Sequence, residues 1–483
     1  MHPLARLDLR HVWHPFTQMK DWLRREPIVI ASARGTVLRD THGREYLDAN
    51  SSIWTNLHGH QHPKINAALR RQLGKIAHSS ALGLANEPAS VLAAKLSGLA
   101  STGKPRLPKV FFSDDGSTAL ETAIKLAYEF TRRIRGPKSR PRFLSLAGGY
   151  HGDTVGAVSV GHSDLFHRAF AGLLFKTDQV MAPYCYRCPF NRAQPGRADA
   201  RTTRRCNWEC VGKVEQALTR QKKQRGEPYA AFIFEPLMQG AAGMIPQPSG
   251  WLRQVTDLAR AHGALLIADE VMTGFGRTGV TCHISDEATA RDRAHPERSR
   301  AFACTRVGVT PDFLCVAKGL TGGYLPMAAT LTTQRIFDAF LGEYEEQKTF
   351  FHGHSYTGNQ LGAAAALASL DLLQSRASIL ARARLQKAMH EGLQTLWALP
   401  QVGDIRQAGL IAGIELVKNW RTREPFALRE RAGIRVCEAM ARRGVLTRPV
   451  GNVIVLMPPY CTTPAQMKRI IEALRDAVGE TFG

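Results

Sequence analysis

Two buried-strand patterns in this sequence end in residues that can do chemistry. The run ALLIADEV is apolar up to Asp269 and Glu270, and the run DFLCVAK ends on Lys318 before a glycine-rich turn. An aspartate so placed lies at the C-terminal end of a strand, which is where ligands bind in open α/β sheets. A lysine there can be desolvated, and desolvation lowers its pKa and leaves a nucleophilic amine that can form a Schiff base.

A third segment supplies a candidate phosphate cradle. DDGSTALETAIKLA places Gly116, Ser117 and Thr118 at the start of a predicted helix, where free backbone N–H groups and hydroxyls suit a phosphate. Each feature alone also has a structural interpretation, as a turn, a helix cap or a solvated lysine. Together they match what pyridoxal 5'-phosphate (PLP) chemistry needs, because an acid at the ring nitrogen makes the ring an electron sink.

Alternating strand and helix patterns must position these residues. Short apolar runs such as AAFIFEP predict buried strands, and residues 117–130 and 251–263 have the periodicity of amphipathic helices. This alternation favours an α/β fold with a mainly parallel sheet flanked by helices.

The order of the patterns predicts three parts. Residues 1–60 form an N-terminal segment that packs with the small domain, residues 61–350 form the large cofactor-binding domain, and residues 351–483 form a smaller α+β domain. Two polar, Arg-rich stretches, 191–207 and 286–306, are predicted to be surface insertions without regular structure.

Composition favours a soluble enzyme in the cytoplasm. Of 483 residues, 44% are hydrophobic and 22% are charged. No apolar run reaches the roughly 18 residues that span a bilayer, and no signal-peptide pattern is present, so we expect no membrane association.

The net charge of +23 attracts anions. The basic residues are spread along the chain without a recognisable binding module, so we expect no nucleic-acid partner. The alternative, a basic binding protein on an inherited fold, predicts loss of part of the cofactor site.

Four cysteines have a spacing that resembles a structural zinc site. Cys185, Cys188, Cys206 and Cys210 read C-x2-C-x17-C-x3-C. Such a metal would be structural, holding the first insertion in place, and would have no catalytic role. Four unconnected thiols are the favoured interpretation, and no metal is expected in the active site.

The motifs around Asp269 and Lys318 resemble the signature of class III aminotransferases of PLP fold type I. That resemblance implies a large domain with a seven-stranded, mainly parallel sheet. Further motifs are similar to one family in that class, the adenosylmethionine-8-amino-7-oxononanoate aminotransferases of biotin biosynthesis. These motifs are HVWHPFTQM, DDGSTALETAIK, GGYHGDTVGAVSVG, FEPLMQGAAGM, FFHGHSYTGNQLG and LTRPVGNVIVLMPPY.

The resemblance implies a role for each residue of the cofactor site. Lys318 is the Schiff-base lysine and moves a proton during the reaction. Asp269 is the partner of the pyridinium nitrogen, Gly116 and Ser117 bind the phosphate, and Tyr150 stacks on the ring and touches substrate.

The resemblance also implies a homodimer whose subunits share their active sites. Gly353, His354 and Ser355 match a loop that the second subunit contributes. In that loop the resemblance implies that Ser355 binds the phosphate, that His354 also binds the cofactor, and that Gly353 contacts substrate. Arg448 matches the arginine that pairs with the carboxylate of the keto substrate, a task that suits a guanidinium.

The implied reaction is a ping-pong exchange between small molecules. A donor amine, S-adenosylmethionine, converts PLP to pyridoxamine phosphate, which then aminates 8-amino-7-oxononanoate to 7,8-diaminononanoate. Met272 stands where many ω-amino-acid transaminases have glutamine, which disfavours another class III ω-amine transaminase.

Two substrate-side residues leave the donor open. Family members that use S-adenosylmethionine typically carry tyrosine and a first tryptophan where this chain has Phe16 and Ile53, whereas the second tryptophan, Trp54, is kept. A minority of the family uses lysine as donor and is similar to this chain at these positions. L-lysine is therefore the alternative donor.

Overall fold

The computed structural model describes residues 1–101, 105–162, 164–279 and 301–483. Most of the predicted insertion at 286–306 therefore lies outside the described residues. The predicted insertion at 191–207 contains no helix or strand in the described chain. No helix of the described ranges is long and apolar enough to cross a membrane.

A seven-stranded sheet forms the centre of the molecule. Its edge-to-edge order is Lys109–Ser113, Ala328–Thr332, Phe313–Val316, Leu265–Asp269, Ala231–Phe234, Phe143–Leu146, Asp178–Val180. The strand Ala328–Thr332 is antiparallel to both neighbours, and the other pairings are parallel. The predicted seven-stranded, mainly parallel sheet is thus confirmed. Its five inner strands are wholly buried, as expected for a sheet with helices on both faces.

Three smaller sheets lie outside the central one. The first contains Ile30–Arg34, Val37–Asp40, Glu45–Asp48 and Val445–Leu446, so N-terminal strands pair with a C-terminal strand. The second contains Val402–Ala408, Ile411–Asn419, Val453–Leu456, Pro449–Val450 and Glu424–Pro425. The third is the pair Met238–Gln239 and Ile245–Pro246. How the chain divides into domains stays a prediction.

The longer helices pack around these sheets. They are Pro3–His11, Pro63–Leu73, Glu87–Ala100, Gly116–Arg135, Glu209–Arg225, Trp251–Ala261, Gln360–Gln374, Arg376–Thr395, Ala432–Arg442 and Pro464–Phe482. Shorter ones are Met19–Trp22, Val155–Val160, Asp164–His167, Ala303–Arg306 and Gln334–Asp338.

The helix Gly116–Arg135 shows how sequence fixes one of these elements. Its buried face carries apolar residues at helical spacing, among them Leu120 and Ile124. Asp115 and Thr118 form a capping box at its start. Arginines in its last turn interact favourably with the negative end of the helix dipole. The helix therefore begins where the sequence predicted and runs five residues further, to Arg135.

Candidate active site

Lys318 lies in a cavity of about 420 Å³ at the C-terminal edge of the central sheet. It follows the buried strand Phe313–Val316, and its Nζ lies 4.5 Å from the centroid of the Trp54 ring. Burial lowers the pKa of the Lys318 amine, and the nearby carboxylates of Asp269 and Glu235 oppose that shift only in part. A larger share of this amine is therefore neutral, and nucleophilic, than in a solvated lysine.

Asp269 ends the strand Leu265–Asp269 and forms a buried pair with His151. Its Oδ2 lies 2.8 Å from His151 Nδ1, and its Oδ1 accepts a hydrogen bond of 3.0 Å from the backbone N–H of Val271. Burial lowers the pKa of His151, but the hydrogen bond and charge of Asp269 outweigh it, so the net shift is upward. The aspartate is thus held in a fixed orientation within the cavity.

Glu235 is a third acid of the site, and the sequence interpretation missed it. It follows the strand Ala231–Phe234 and accepts backbone N–H hydrogen bonds from Tyr150, at 3.3 Å, and Gly240, at 2.8 Å. Burial raises its pKa to about 7. The run FIFEP has the same strand-end pattern as the run that ends in Asp269, so the signal was present in the sequence.

Two residues of the predicted phosphate cradle, Gly116 and Ser117, line the same cavity. Gly116 begins its helix so close to the next segment that an added Cβ would lie 2.7 Å from Val271 Cγ1. The hydroxyl oxygen of Ser117 accepts a 3.1 Å hydrogen bond from the backbone N–H of Asp153, which leaves the hydroxyl proton to donate. A Cβ on Gly152 would overlap Ser117. Glycine is therefore required at two positions beside the cavity.

Tyr150 lines the cavity and belongs to an aromatic group. Its hydroxyl donates to Asp153 at 2.7 Å, and its ring stacks on His167 with 5.8 Å between centroids. Burial raises the pKa of Tyr150 above its ordinary value, so the phenol stays protonated. The sequence interpretation missed Phe166. Its ring centroid lies 5.9 Å from that of Tyr150 and 5.4 Å from that of Phe16.

The predicted substrate residues lie at the outer side of the cavity. Trp54 lines the cavity, whereas Phe16 is 58% and Ile53 is 44% exposed, and neither borders it. Arg448 is also exposed, and its Nη2 donates a 3.3 Å hydrogen bond to the carbonyl oxygen of Phe16. The structure thus brings Arg448 and Phe16 together but not into the immediate surroundings of Lys318.

The predicted second-subunit loop does not border the cavity of its own chain. Gly353 and Ser355 are exposed, and the carbonyl oxygen of Ser355 accepts a hydrogen bond of 2.8 Å from His78. His354 lies near the start of the helix Gly116–Arg135, with its Nε2 3.5 Å from Asp114 Oδ1.

The four cysteines whose spacing resembles a zinc site lie near one another. Burial and the neighbouring thiols raise the pKa of Cys185 to about 12 and that of Cys210 to about 11. Within the part of the chain that the structure describes, no group of three or more histidine, cysteine or acidic side chains is arranged to hold a metal ion. The geometry therefore gives the zinc interpretation no support.

Comparison with known proteins decides the family. The model of the class III aminotransferase family matches residues 19–290 and 298–478. The chain belongs to the class III aminotransferases. This aminotransferase is 46% identical, over 99% of its length and 97% of the relative, to a Geobacter sulfurreducens protein named adenosylmethionine-8-amino-7-oxononanoate aminotransferase. A Methanocaldococcus jannaschii protein of the same name is 42% identical, over 99% of this chain and 98% of the relative.

Solved structures confirm the fold of this aminotransferase. The crystal structure of the Methanocaldococcus jannaschii enzyme matches with a TM-score of 0.86 and 39% identity, over 99% of this chain and 98% of the other. An amine transaminase from an uncultivated Pseudomonas species, solved in its PLP-bound form, matches with a TM-score of 0.84 and 32% identity, over 97% and 98%. The predicted PLP fold type I is thereby confirmed, whereas the roles of individual residues stay predictions.

Proposed function

We propose that this aminotransferase binds PLP in the cavity around Lys318 and transfers an amino group to 8-amino-7-oxononanoate. The product is 7,8-diaminononanoate, a step of biotin biosynthesis, and the proposed donor is S-adenosylmethionine. The observation that carries the chemistry is the placement of a lysine with a lowered pKa and a buried aspartate in one cavity. The relatives' shared name supports the choice of acceptor and donor.

The residues of the cavity suit PLP in size and in chemistry. Gly116 and Ser117 offer backbone N–H groups and a hydroxyl at a helix start, which suits a phosphate. A side chain at Gly116 would collide with Val271, so the close packing of this cradle depends on glycine. Asp269 supplies the acid for the ring nitrogen, and Tyr150 supplies an aromatic wall.

Each of these groups would have a separate task. When bound, PLP holds the amino group in transit and acts as an electron sink. Asp269, oriented by His151, would keep a proton on the ring nitrogen. The Lys318 amine would bind the cofactor and would carry a proton as a general base. The Tyr150 ring would exclude water from one face of the ring.

A half-reaction assay tests this proposal. The PLP-loaded protein is mixed with S-adenosylmethionine or L-lysine, and the cofactor absorbance band is followed. The protein is then mixed with 8-amino-7-oxononanoate, and diaminononanoate is measured by mass spectrometry. We expect a fast spectral change with S-adenosylmethionine and one equivalent of product. Failure to form diaminononanoate with either donor would overturn the proposed acceptor.

L-lysine is the second candidate donor because of Phe16 and Ile53. Both lie on the outer side of the cavity, where this chain departs from the pattern of S-adenosylmethionine users. A response to lysine with none to S-adenosylmethionine replaces the donor and leaves the acceptor intact. Transfer to other ω-amines at comparable rates would instead favour a general class III ω-amine transaminase. Met272, which is buried and lines the cavity, disfavours that outcome, because a thioether cannot donate a hydrogen bond.

We also propose a homodimer in which Gly353, His354 and Ser355 complete the partner's active site. Gly353 and Ser355 are exposed, and so are the large apolar side chains of Phe351, at 76%, and Tyr356, at 63%. Exposed apolar side chains of this size favour burial against another protein surface.

A complementation experiment tests the shared site. Chains carrying Lys318→Ala and chains carrying Ser355→Asp are co-expressed, and the mixed dimers are assayed. Each parent dimer should be inactive, because one lacks the amine and the other places a negative charge at the phosphate. Random pairing should restore about a quarter of wild-type activity, since half of the dimers regain one of their two sites. No recovery in mixed dimers isolated with two different affinity tags would contradict the shared site.

A cytoplasmic location without nucleic-acid or membrane partners completes the proposal. None of the eight cysteines in the described ranges forms a disulfide, which agrees with a reducing compartment. Detection of the protein in the periplasmic or membrane fraction of its cells, or salt-resistant binding to DNA, would contradict this part.

A further inference from the structure

One turn of left-handed backbone carries Trp54 into the cavity. The residues Ser51, Ser52, Ile53 and Trp54 have φ angles of 48°, 49°, 64° and 69°. Non-glycine residues rarely adopt this conformation, and β-branched isoleucine adopts it least readily. This left-handed turn (residues 51–54) is therefore strained and persists only if its surroundings stabilise it.

Asp48 stabilises the start of the left-handed turn. Its side chain is 3% exposed. It accepts hydrogen bonds from the backbone N–H groups of Asn50, at 3.2 Å, and Ser52, at 3.1 Å. It also accepts the Ser52 hydroxyl at 3.0 Å. A carboxylate thus satisfies the N–H groups at the beginning of the turn.

Arg277 stabilises the other end. Its side chain is 1% exposed, and its Nη2 donates to the carbonyl oxygens of Trp54, at 3.4 Å, and Asn56, at 3.1 Å. Its Nη1 donates to the carbonyl oxygen of Pro458 at 2.7 Å. In the described ranges the hydrogen bonds of this guanidinium go to main-chain carbonyls, and its Cζ lies 5.0 Å from the centroid of the Tyr460 ring. A buried charge is costly, which makes a specific task for Arg277 the better explanation of its position.

The position of Arg277 in the chain joins the two sides of the cavity. It lies in the segment that follows Asp269, the predicted partner of the cofactor ring. Its guanidinium donates a hydrogen bond to the backbone carbonyl of Trp54, and the ring of Trp54 lies over the Lys318 amine. One side chain therefore connects the cofactor side of the cavity to the turn that carries the predicted substrate residues.

We propose that Asp48 and Arg277 are positioning residues that clamp the left-handed turn from both ends. This charged clamp (Asp48 and Arg277) fixes Trp54 over Lys318 and sets the position of the neighbouring Ile53, and it thereby sets which donor amine is accepted. The selectivity part rests on the proposed function, whereas the placement of Trp54 does not.

Fluorine NMR of protein labelled with 5-fluorotryptophan tests the placement without any substrate. The chain has seven tryptophans, and the Trp54 resonance is assigned by its loss in Trp54→Phe. We expect Asp48→Asn and Arg277→Lys each to shift or split the Trp54 resonance while the other six stay in place. The matched control is Arg135→Lys. Arg135 also donates to three backbone carbonyls, those of Pro228, Tyr229 and Gly263, away from the cavity.

Kinetics then test the consequence for selectivity. In both clamp variants we expect the KM for the donor to rise by about tenfold, with the ratio of rates for S-adenosylmethionine and L-lysine changed and PLP content unchanged. The control variant should behave as wild type.

An unmoved Trp54 resonance in both clamp variants, or a shift of all resonances together, would overturn the clamp. A moved Trp54 resonance with an unchanged donor ratio would overturn its role in selectivity. Neither result depends on whether 8-amino-7-oxononanoate is the acceptor.

Discussion

The cofactor side and the substrate side of the cavity are built in different ways. On the cofactor side, Lys318, Asp269 and Glu235 each lie at or just beyond the end of a buried strand of one sheet. On the substrate side, Phe16 and Ile53 are exposed and come from segments outside that sheet. The rigid sheet therefore fixes the chemistry of the cofactor, and separate segments carry the choice of substrate.

The first consequence concerns the lysine and is the largest. We expect Lys318→Ala to lower the rate of amino transfer by on the order of 10⁴-fold or more, because no other group can replace the nucleophilic amine. Single-turnover formation of diaminononanoate measures it. Lys468→Ala, which removes a lysine that is 78% exposed, is the control and should leave the rate unchanged. A Lys318→Ala rate within tenfold of the wild-type rate would contradict the assignment of Lys318 as the nucleophilic lysine.

The second concerns the acid beneath the ring. Asp269→Asn should lower kcat by on the order of 10²-fold or more, because an amide cannot keep a proton on the ring nitrogen. The pKa of His151 should fall in the same variant, since the charge that raises it is removed. Rapid-scan absorbance measures the change in kcat, and NMR titration measures the pKa of His151. Asp257→Asn, on an exposed helix surface, is the control, and equal kinetics in the two variants would contradict this role.

On the substrate side we expect smaller effects that act on one substrate only. Arg448→Met should raise the KM of the carboxylate-bearing acceptor by about 10- to 100-fold, the value of a charged hydrogen bond. The half-reaction with the donor should be unchanged if Arg448 serves only the acceptor. Steady-state kinetics with each substrate varied in turn separates the two. A rise of the same size for the donor would show that Arg448 acts on the whole cavity instead.

The smallest effect is expected at Ile53. Ile53→Trp should change the ratio of half-reaction rates for S-adenosylmethionine and L-lysine by less than about tenfold, because it alters only apolar contact outside the immediate lining of the cavity. Ile134→Trp, at a surface position that is 56% exposed and distant from the cavity, is the control. A loss of both half-reactions in Ile53→Trp would break the comparison, since it would make this exposed residue part of the chemistry.

The cofactor side could be predicted because its signals are local. An apolar run followed at once by Asp269 or Lys318 predicts both the strand and the position of its last side chain at the sheet edge, where ligands bind. Glu235 follows the same kind of run and could have been found in this way. His151 could not, because its partner Asp269 is 118 positions away and only the fold brings them together.

The substrate side depends on contacts that no local pattern encodes. The hydrogen bond between Arg448 and Phe16 joins positions 432 residues apart. The left-handed turn contains serine, isoleucine and tryptophan, and none of these predicts positive φ angles. Asp48 holds the turn through backbone groups close to it in the chain. Arg277 acts on carbonyl groups 223 and 221 positions away, so its task became visible only in the folded chain.

The most direct test of the account is to locate the covalent bond between the protein and its cofactor. The purified protein is incubated with PLP, reduced with borohydride, digested and mapped by mass spectrometry. The account predicts one pyridoxyl-phosphate adduct per chain, on Lys318. An adduct on another lysine, or no adduct together with full amino-transfer activity, would contradict it.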